Sequence, residues 1–258
     1  MIQLTDQLGR NVALEQPARR IVSLVPSQTE LLSDLGLDSR IVGVTKFCLH
    51  PPHLLKQKTI VGGTKKLRHA AIQSLQPDLI IANKEENVQS DIEQLAQHYP
   101  VYVSNVFDLP SATQMMEDIG LLTDTTTHAA AIIEDIKEAK ENFPTLPTDS
   151  VLYLIWKDPW MAAGNDTFIH TMLQEAGYTN VIEEARYPVL TPQRIMELDP
   201  DVVLLSSEPY PFAEKHIEEI TMLLPGCRVR TADGTMFSWY GSRLRQAWNY
   251  FQLLRKND

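Results

Sequence analysis

The feature that most constrains this chain is an alternation of short apolar, β-branched runs with helical stretches, broken once. Ile21–Val25, Ile41–Thr45, Leu79–Ala82 and Val101–Ser104 are strand-sized, and helical patterns lie between them. Buried strands alternating with helices predict a parallel sheet with crossover helices. The first helix is expected over Gln28–Leu37, with Ser27 as N-cap and Glu30 completing a capping box. Ahead of it, residues 2–14 alternate apolar and polar about Leu8-Gly9 and predict a hairpin.

The break is Asp124–Phe143, which holds no strand. Ala129, Ile132, Ile133, Ile136, Ala139 and Phe143 fall near helical spacing, Asp124 and Thr125–Thr127 can cap the start, and Pro144 and Pro147 end it. It reads either as one more packed helix or as a helical backbone joining two lobes. Alternation restarts after it, with strands expected at Val151–Trp156, Val202–Ser206 and Arg228–Thr231 and helices at Thr167–Ala176 and Thr191–Leu198. The halves echo each other: Leu75-Gln76-Pro77-Asp78 feeds Leu79–Ile81, and Leu198-Asp199-Pro200-Asp201 feeds Val202–Leu205. The expected fold is therefore α/β, with a lobe over residues 1–122, a linker helix over 123–146 and a lobe over 147–258. Two similar lobes imply a ligand cleft between them.

Several functions are disfavoured. With 23 Lys and Arg against 33 Asp and Glu, the formal charge is −10, and such a chain lacks the field that holds a nucleic-acid backbone. The apolar runs are too short for a membrane-spanning helix. Residues 1–20 carry Asp6, Arg10, Glu15, Arg19 and Arg20 with no apolar stretch among them, so no leader peptide is read there. Glycine-rich phosphate loops, a Gly-x-Ser-x-Gly elbow, His-Glu-x-x-His and Cys-x-x-Cys are all missing from the sequence. The sequence thus points to a binding protein rather than an enzyme, with no cofactor required.

Ligand crevices in α/β folds lie outside the carboxyl ends of the strands, so the residues just past each strand are the candidates. After the first run comes Ser27, opening a helix. After the second come Phe47, Cys48 and His50. Trp156 ends a strand and Trp160 lies just beyond it; Glu208 comes after Val202–Ser206; Trp239 and Tyr240 lie in a late aromatic-rich loop. Large aromatics with a few polar tips suit a bulky flat ligand such as a chelate. Cys48 and His50 are two residues apart, so in an extended loop both point the same way. As thiolate and imidazole they are candidate metal ligands, with an acid such as Glu208.

Arg20-Ile21-Val22-Ser23-Leu24-Val25-Pro26-Ser27-Gln28-Thr29-Glu30, Val42-Gly43-Val44-Thr45 with Pro51-Pro52, Gln76-Pro77-Asp78-Leu79-Ile80 and Thr5-Asp6…Gly9-Arg10 together resemble the helical-backbone class of periplasmic substrate-binding proteins. The resemblance covers nearly the whole chain. It is nearest the cobalamin-binding branch, with siderophore and haem binders as cousins. It implies two Rossmann-like lobes joined by one long helix, a corrinoid, haem or ferric siderophore held between them, and service to the permease of an ATP-driven importer in the periplasm or outside the cell. It carries Phe47, Trp156, Trp160 and Trp239 over as aromatic cleft residues, and Ser27 as part of a serine loop.

The family presents a docking glutamate on each lobe. Counting back from Pro77-Asp78 and Pro200-Asp201 places these at Ala70 and Gln193, beside the basic Lys65-Lys66-Leu67-Arg68-His69 and Arg194, with Glu197 one turn on. Two alternatives stand beside the importer component: a metal-ion receptor using Cys48 and His50, and a cytoplasmic carrier or sensor that has lost permease docking.

Overall fold

The structure, a computed structural model, describes residues 1–256. The last two residues of the expected second lobe, Asn257 and Asp258, lie outside the described residues. The chain divides into two units. The first holds Met1–Val106, Pro110–Lys137 and Tyr240–Arg243; the second holds Phe107–Leu109, Glu138–Trp239 and the chain from Leu244 onward.

In the first unit, β1 (Ile2–Thr5) and β2 (Asn11–Leu14) form the expected antiparallel hairpin. Its turn is organised by Asp6. This carboxylate accepts from the Leu8 and Arg10 amides, both at 2.9 Å, from the Arg10 guanidinium at 2.6 and 2.8 Å, and from the Val103 amide at 3.2 Å. The chain continues through β3 (Ile21–Ser23), α1 (Pro26–Asp34), β4 (Ile41–Val44), α2 (Pro52–Gln57), β5 (Thr59–Ile60), β6 (Gly62–Gly63), β7 (Lys66–Leu67), α3 (His69–Leu75), β8 (Leu79–Asn83), α4 (Gln89–Ala96) and β9 (Val101–Ser104). Five strands form a parallel sheet in the order β5-β4-β3-β8-β9, and β6 with β7 makes a separate antiparallel hairpin. Val22, Leu24, Val61, Ile72, Ile80, Ile92 and Val103 share one buried core. Strands β8 and β9 are buried throughout, which is why they read as continuous apolar runs.

Two helices come next, α5 (Leu109–Thr123) and α6 (Thr126–Glu141). The chain turns between them at Asp124, whose φ is +57°, while the Thr123 hydroxyl bonds the Ile119 carbonyl at 2.7 Å and meets the Thr125 hydroxyl at 2.8 Å. The strand-free stretch is thus a helix as expected, but shorter: 16 residues, or about 24 Å at 1.5 Å per residue. Its residues through Lys137 belong to the first unit and its last turn to the second.

The second unit comprises β10 (Asp149–Trp156), β11 (Trp160–Ala162), α7 (Phe168–Glu175), β12 (Tyr178–Asn180), β13 (Val189–Leu190), α8 (Pro192–Leu198), β14 (Val202–Ser206), α9 (Glu214–Leu223), β15 (Arg228–Ala232), α10 (Thr235–Ser238) and α11 (Leu244–Lys256). Strands β10, β14 and β15 run parallel. Along the other edge of β10, β12 pairs in parallel with residues 149–151 and β11 pairs antiparallel near its end. The Thr167 and Thr191 hydroxyls accept from the His170 and Arg194 amides at 3.2 and 3.1 Å and start α7 and α8. Helix α11 buries Leu244, Ala247, Trp248, Phe251 and Leu254, the spacing of a single helical face.

The sequence echo has a common geometry. Helices α3 and α8 each end on a left-handed residue, Gln76 at φ +46° and Asp199 at φ +39°. A proline comes next, then an aspartate that holds the start of the neighbouring strand. Asp78 accepts from the Arg19 and Arg20 amides, both at 2.8 Å, ahead of β3. Asp201 accepts from the Ser150 amide and hydroxyl at 2.8 and 2.7 Å in β10, and these bonds hold its carboxyl below the usual range.

Candidate functional site

In the first unit the order β5-β4-β3-β8-β9 reverses direction between β3 and β8, so the loops leaving these two strands diverge and open the crevice where α/β sheets take ligands. Helix α1 begins there with Pro26 in its first turn. Its N-cap is Val25, with no side-chain cap. The expected Ser27 cap is corrected: proline starts the helix two residues earlier, and Ser27 becomes a buried first-turn residue.

Behind Ser27 lies a polar cluster. Tyr240 is buried, its hydroxyl beside Ser27 and Ser104. Burial, reinforced by the charges of Glu86 and Glu85, raises its pKa well above the ordinary phenol value. Ser104 Oγ also accepts from Asn83 Nδ2 at 3.0 Å and from Gln28 Nε2, and donates to the Ala82 carbonyl at 3.2 Å. Gln28 Oε1 is buried without a hydrogen-bond partner among the described residues. The loop after β8 is tied down rather than loosely solvated. Asn83 Oδ1 accepts from the Glu85 and Glu86 amides at 2.8 and 3.1 Å, Asn87 Oδ1 accepts from the Asn83 amide at 2.9 Å, and Asn87 Nδ2 donates to the Thr64 carbonyl at 3.1 Å.

Beyond β4, Phe47 is 48% exposed, with Lys46 Nζ 4.9 Å from its ring centre, and His50 is exposed. Cys48 is fully buried, its Sγ 3.1 Å from Thr29 Oγ1 and 3.2 Å from Thr45 Oγ1. Burial pushes the thiol up despite those hydrogen bonds. The expected Cys48–His50 pair is therefore overturned. The loop turns where an extended chain was assumed, with the Cys48 amide bonding back to the Thr45 carbonyl at 3.1 Å, and one side chain points inward while the other points out. Among the described residues no three His, Cys, Asp or Glu side chains stand together to hold a metal ion.

In the second unit Trp156 is 40% exposed at the end of β10. It meets Tyr210 edge-on at 5.4 Å, Tyr210 meets Phe212 at 4.7 Å, and Phe212 stacks on Trp160 at 6.0 Å. His216, its Nδ1 accepting from the Ala213 amide at 2.8 Å, closes against both Tyr210 and Phe212. Trp160 is corrected from wall to core: it is 6% exposed and packs with Leu152, Leu154 and Ile195, under Lys157, which pairs with Glu219. Trp239 is also buried, its Nε1 donating to Glu208 Oε1 at 2.7 Å.

The rings that do stand at the surface at the carboxyl ends of β4 and β10 are thus Phe47 and Trp156, with half-buried Tyr210 behind the latter. Tyr210 and Phe212 have a sequence signal in retrospect, two aromatics interleaved with Pro209 and Pro211 directly after a strand. Asn83 and Asn87 have one too, bracketing their loop. The positions expected for docking, Ala70 and Gln193, are exposed on α3 and α8. Gln193 bonds Glu197 at 3.2 Å, and neighbouring His69 bonds Asp91 at 3.2 Å.

A family model of periplasmic binding proteins matches residues 21–221. The chain belongs to the periplasmic binding protein family. An ABC transporter substrate-binding lipoprotein of Bacillus subtilis, YvrC, is 25% identical over 216 residues, 79% of this chain and 68% of that protein. The fold is that of the periplasmic vitamin B12 binding protein BtuF of Vibrio cholerae, with a TM-score of 0.78, 20% identity and coverage of 93% of this chain and 99% of that one. A periplasmic haem binding protein of Pseudomonas aeruginosa shares it at a TM-score of 0.75, 22% identity and 92% coverage of each chain.

Proposed function

We propose that this chain is the ligand-binding component of an ABC importer and takes a bulky, flat metal chelate of the corrinoid, haem or ferric siderophore kind. The observation that carries the reading is that an exposed aromatic ring stands at the carboxyl end of a parallel strand in each unit, Phe47 after β4 and Trp156 at the end of β10, with Phe107 exposed beyond β9 as well. Leaving such rings in water forgoes burial worth about 1.5–3 kcal/mol each, and a planar ligand recovers it. Membership of the family, the lipoprotein relative and the B12- and haem-binding structures of like fold support this reading. A bare-ion receptor built on Cys48 and His50 is not favoured, because the thiol is enclosed. Service outside the cytoplasmic membrane is inferred from the same relatives, with binding rather than catalysis as the task. No helix among the described residues is long and apolar enough to cross a membrane.

The test is titration of the purified protein with cyanocobalamin, haemin and a ferric hydroxamate, monitored by tryptophan emission. Saturable quenching by one of them is expected. Phe47→Ala and Trp156→Ala should each weaken binding about 10–150-fold, the equivalent of burying one large side chain. If none of the three chelates binds, or if both variants bind like the parent, the reading falls.

A further inference from the structure

From Ser39 to Pro77 the chain contains no Asp or Glu, yet it carries Arg40, Lys46, Lys56, Lys58, Lys65, Lys66 and Arg68, in a protein whose formal charge is −10. Part of this stretch is folded against the exposed ring of Phe47. The Lys46 amide donates to the Gly62 carbonyl at 2.8 Å. Gly63 lies beneath the ring, where a Cβ would stand 3.1 Å from Phe47 Cε2 and 3.4 Å from Lys46 Cε. Gly63 pairs with Lys66 across the β6–β7 hairpin. The hairpin is fastened to the loop after β8 by Asn87 Nδ2 on the Thr64 carbonyl at 3.1 Å and by Lys65 on the Glu85 carbonyl. That loop adds exposed Lys84.

Three loops at the carboxyl end of the first unit's sheet therefore place Lys46 against Phe47, Lys65 and Lys66 on the hairpin whose Gly63 lies beneath the ring, and Lys84 on the loop to which that hairpin is fastened, with the half-buried carboxylates Glu85 and Glu86 beside it. We infer that the chelate taken at Phe47 is anionic, carrying carboxylate or phosphate groups at its rim, and that Lys46, Lys65 and Lys66 select it over neutral chelates of the same shape. This rests on the chelate reading above and narrows it. The aromatic face supplies affinity for any flat ligand, whereas ammonium groups at its edge add attraction only for a ligand with negative charge.

The experiment compares two probes that share one macrocycle and differ chiefly in charge: haemin, with two carboxylates, and its dimethyl ester. At about 20 mM salt the acid should bind about tenfold or more tightly than the ester, and the margin should shrink near 0.3 M as the Debye length contracts. In Lys46→Gln/Lys65→Gln/Lys66→Gln the acid's advantage should fall to within about twofold, while the Lys→Arg triple, which keeps the charge, retains it. The inference is overturned if the parent binds acid and ester equally, if the Gln triple keeps the preference, or if cyanocobalamin binds and neither porphyrin does. That last result leaves the chelate reading standing. Failure of these probes and of the ferric hydroxamate overturns both.

Discussion

The indole Nε1 of Trp239 donates to Oε1 of Glu208 at 2.7 Å, and the Ser238 hydroxyl donates to the same oxygen at 3.1 Å. The bond ties the end of α10 to the loop after β14, and it turns two residues that the sequence offers as separate ligand contacts into partners of each other. A hydrogen bond to a charged acceptor contributes about 1.5–3 kcal/mol. Glu208→Ala is therefore expected to lower the unfolding free energy by about 2 kcal/mol, with Glu208→Gln intermediate, as measured by urea denaturation. An unchanged midpoint together with weakened chelate binding would instead make Glu208 a ligand contact.

Trp156 and Trp160 are expected to separate cleanly. Trp160 is a core residue, and Trp160→Ala should cost about 3–5 kcal/mol while leaving chelate affinity per folded molecule unchanged. Trp156→Ala should stay within about 0.5 kcal/mol of the parent in stability and lose affinity. Parallel urea curves and emission titrations of the two variants decide it, and the reverse pattern would restore Trp160 to the wall.

The thiols give a pH dependence. Burial raises both Cys48 and Cys227, the latter to about 11. A proton held more tightly in the folded state stabilises fully below the unfolded thiol value near 8.5, and that contribution is lost as pH rises through the folded value. The urea midpoint should therefore hold steady to about pH 8.5 and decline toward pH 11, steepening above about 10 where buried Tyr102 and Tyr153, also raised, would ionise on unfolding. The Cys48→Ala/Cys227→Ala variant should decline less between pH 8.5 and 10. Iodoacetamide should label Cys48 only in denaturant; rapid labelling of the native protein at pH 8 would contradict its enclosure.

Much of the fold is legible in the sequence because its central strands are buried on both faces. Val101–Ser104 and Val202–Ser206 are read to the residue, and the Pro-Asp turns carry their geometry in their residue types. The parts that escape are made by short pieces without a run. The β6–β7 hairpin has two residues a side, and the returning segment Tyr240–Arg243 has no period to betray that it joins the first unit. The site is less legible for a related reason. The pairing of β10 with β11 shifts register between Leu154 and Trp156, so counting alternate residues inward and outward fails just where Trp156 and Trp160 must be told apart. Cys48 escapes likewise, because one backbone turn at Thr45 decides which way it faces.

The segment Tyr240–Arg243 is fastened to α1 by a two-pronged ion pair. Arg243 Nε meets Glu30 Oε2 at 2.8 Å and its Nη2 meets Glu30 Oε1 at 2.6 Å, with the side chains only 13% and 16% exposed. The chain enters this contact through Gly241, whose φ of +122° disfavours any side chain and whose Cβ position faces Leu31 and the Ser27 carbonyl, each at 3.5 Å. Exposed pairs couple by about 0.2–1 kcal/mol and breaking enclosed ones costs about 3–5. At this burial a double-mutant cycle of Glu30→Gln and Arg243→Gln should return a coupling of about 1–2 kcal/mol. The segment lies over the Ser27–Ser104–Tyr240 cluster, so releasing it exposes backbone that the ion pair normally holds down. Either single variant, and Gly241→Ala more strongly, should make the chain between Trp239 and Leu244 a new site of limited proteolysis. A coupling indistinguishable from zero, with the proteolysis pattern unchanged, would mean that the segment is held by Tyr240 alone.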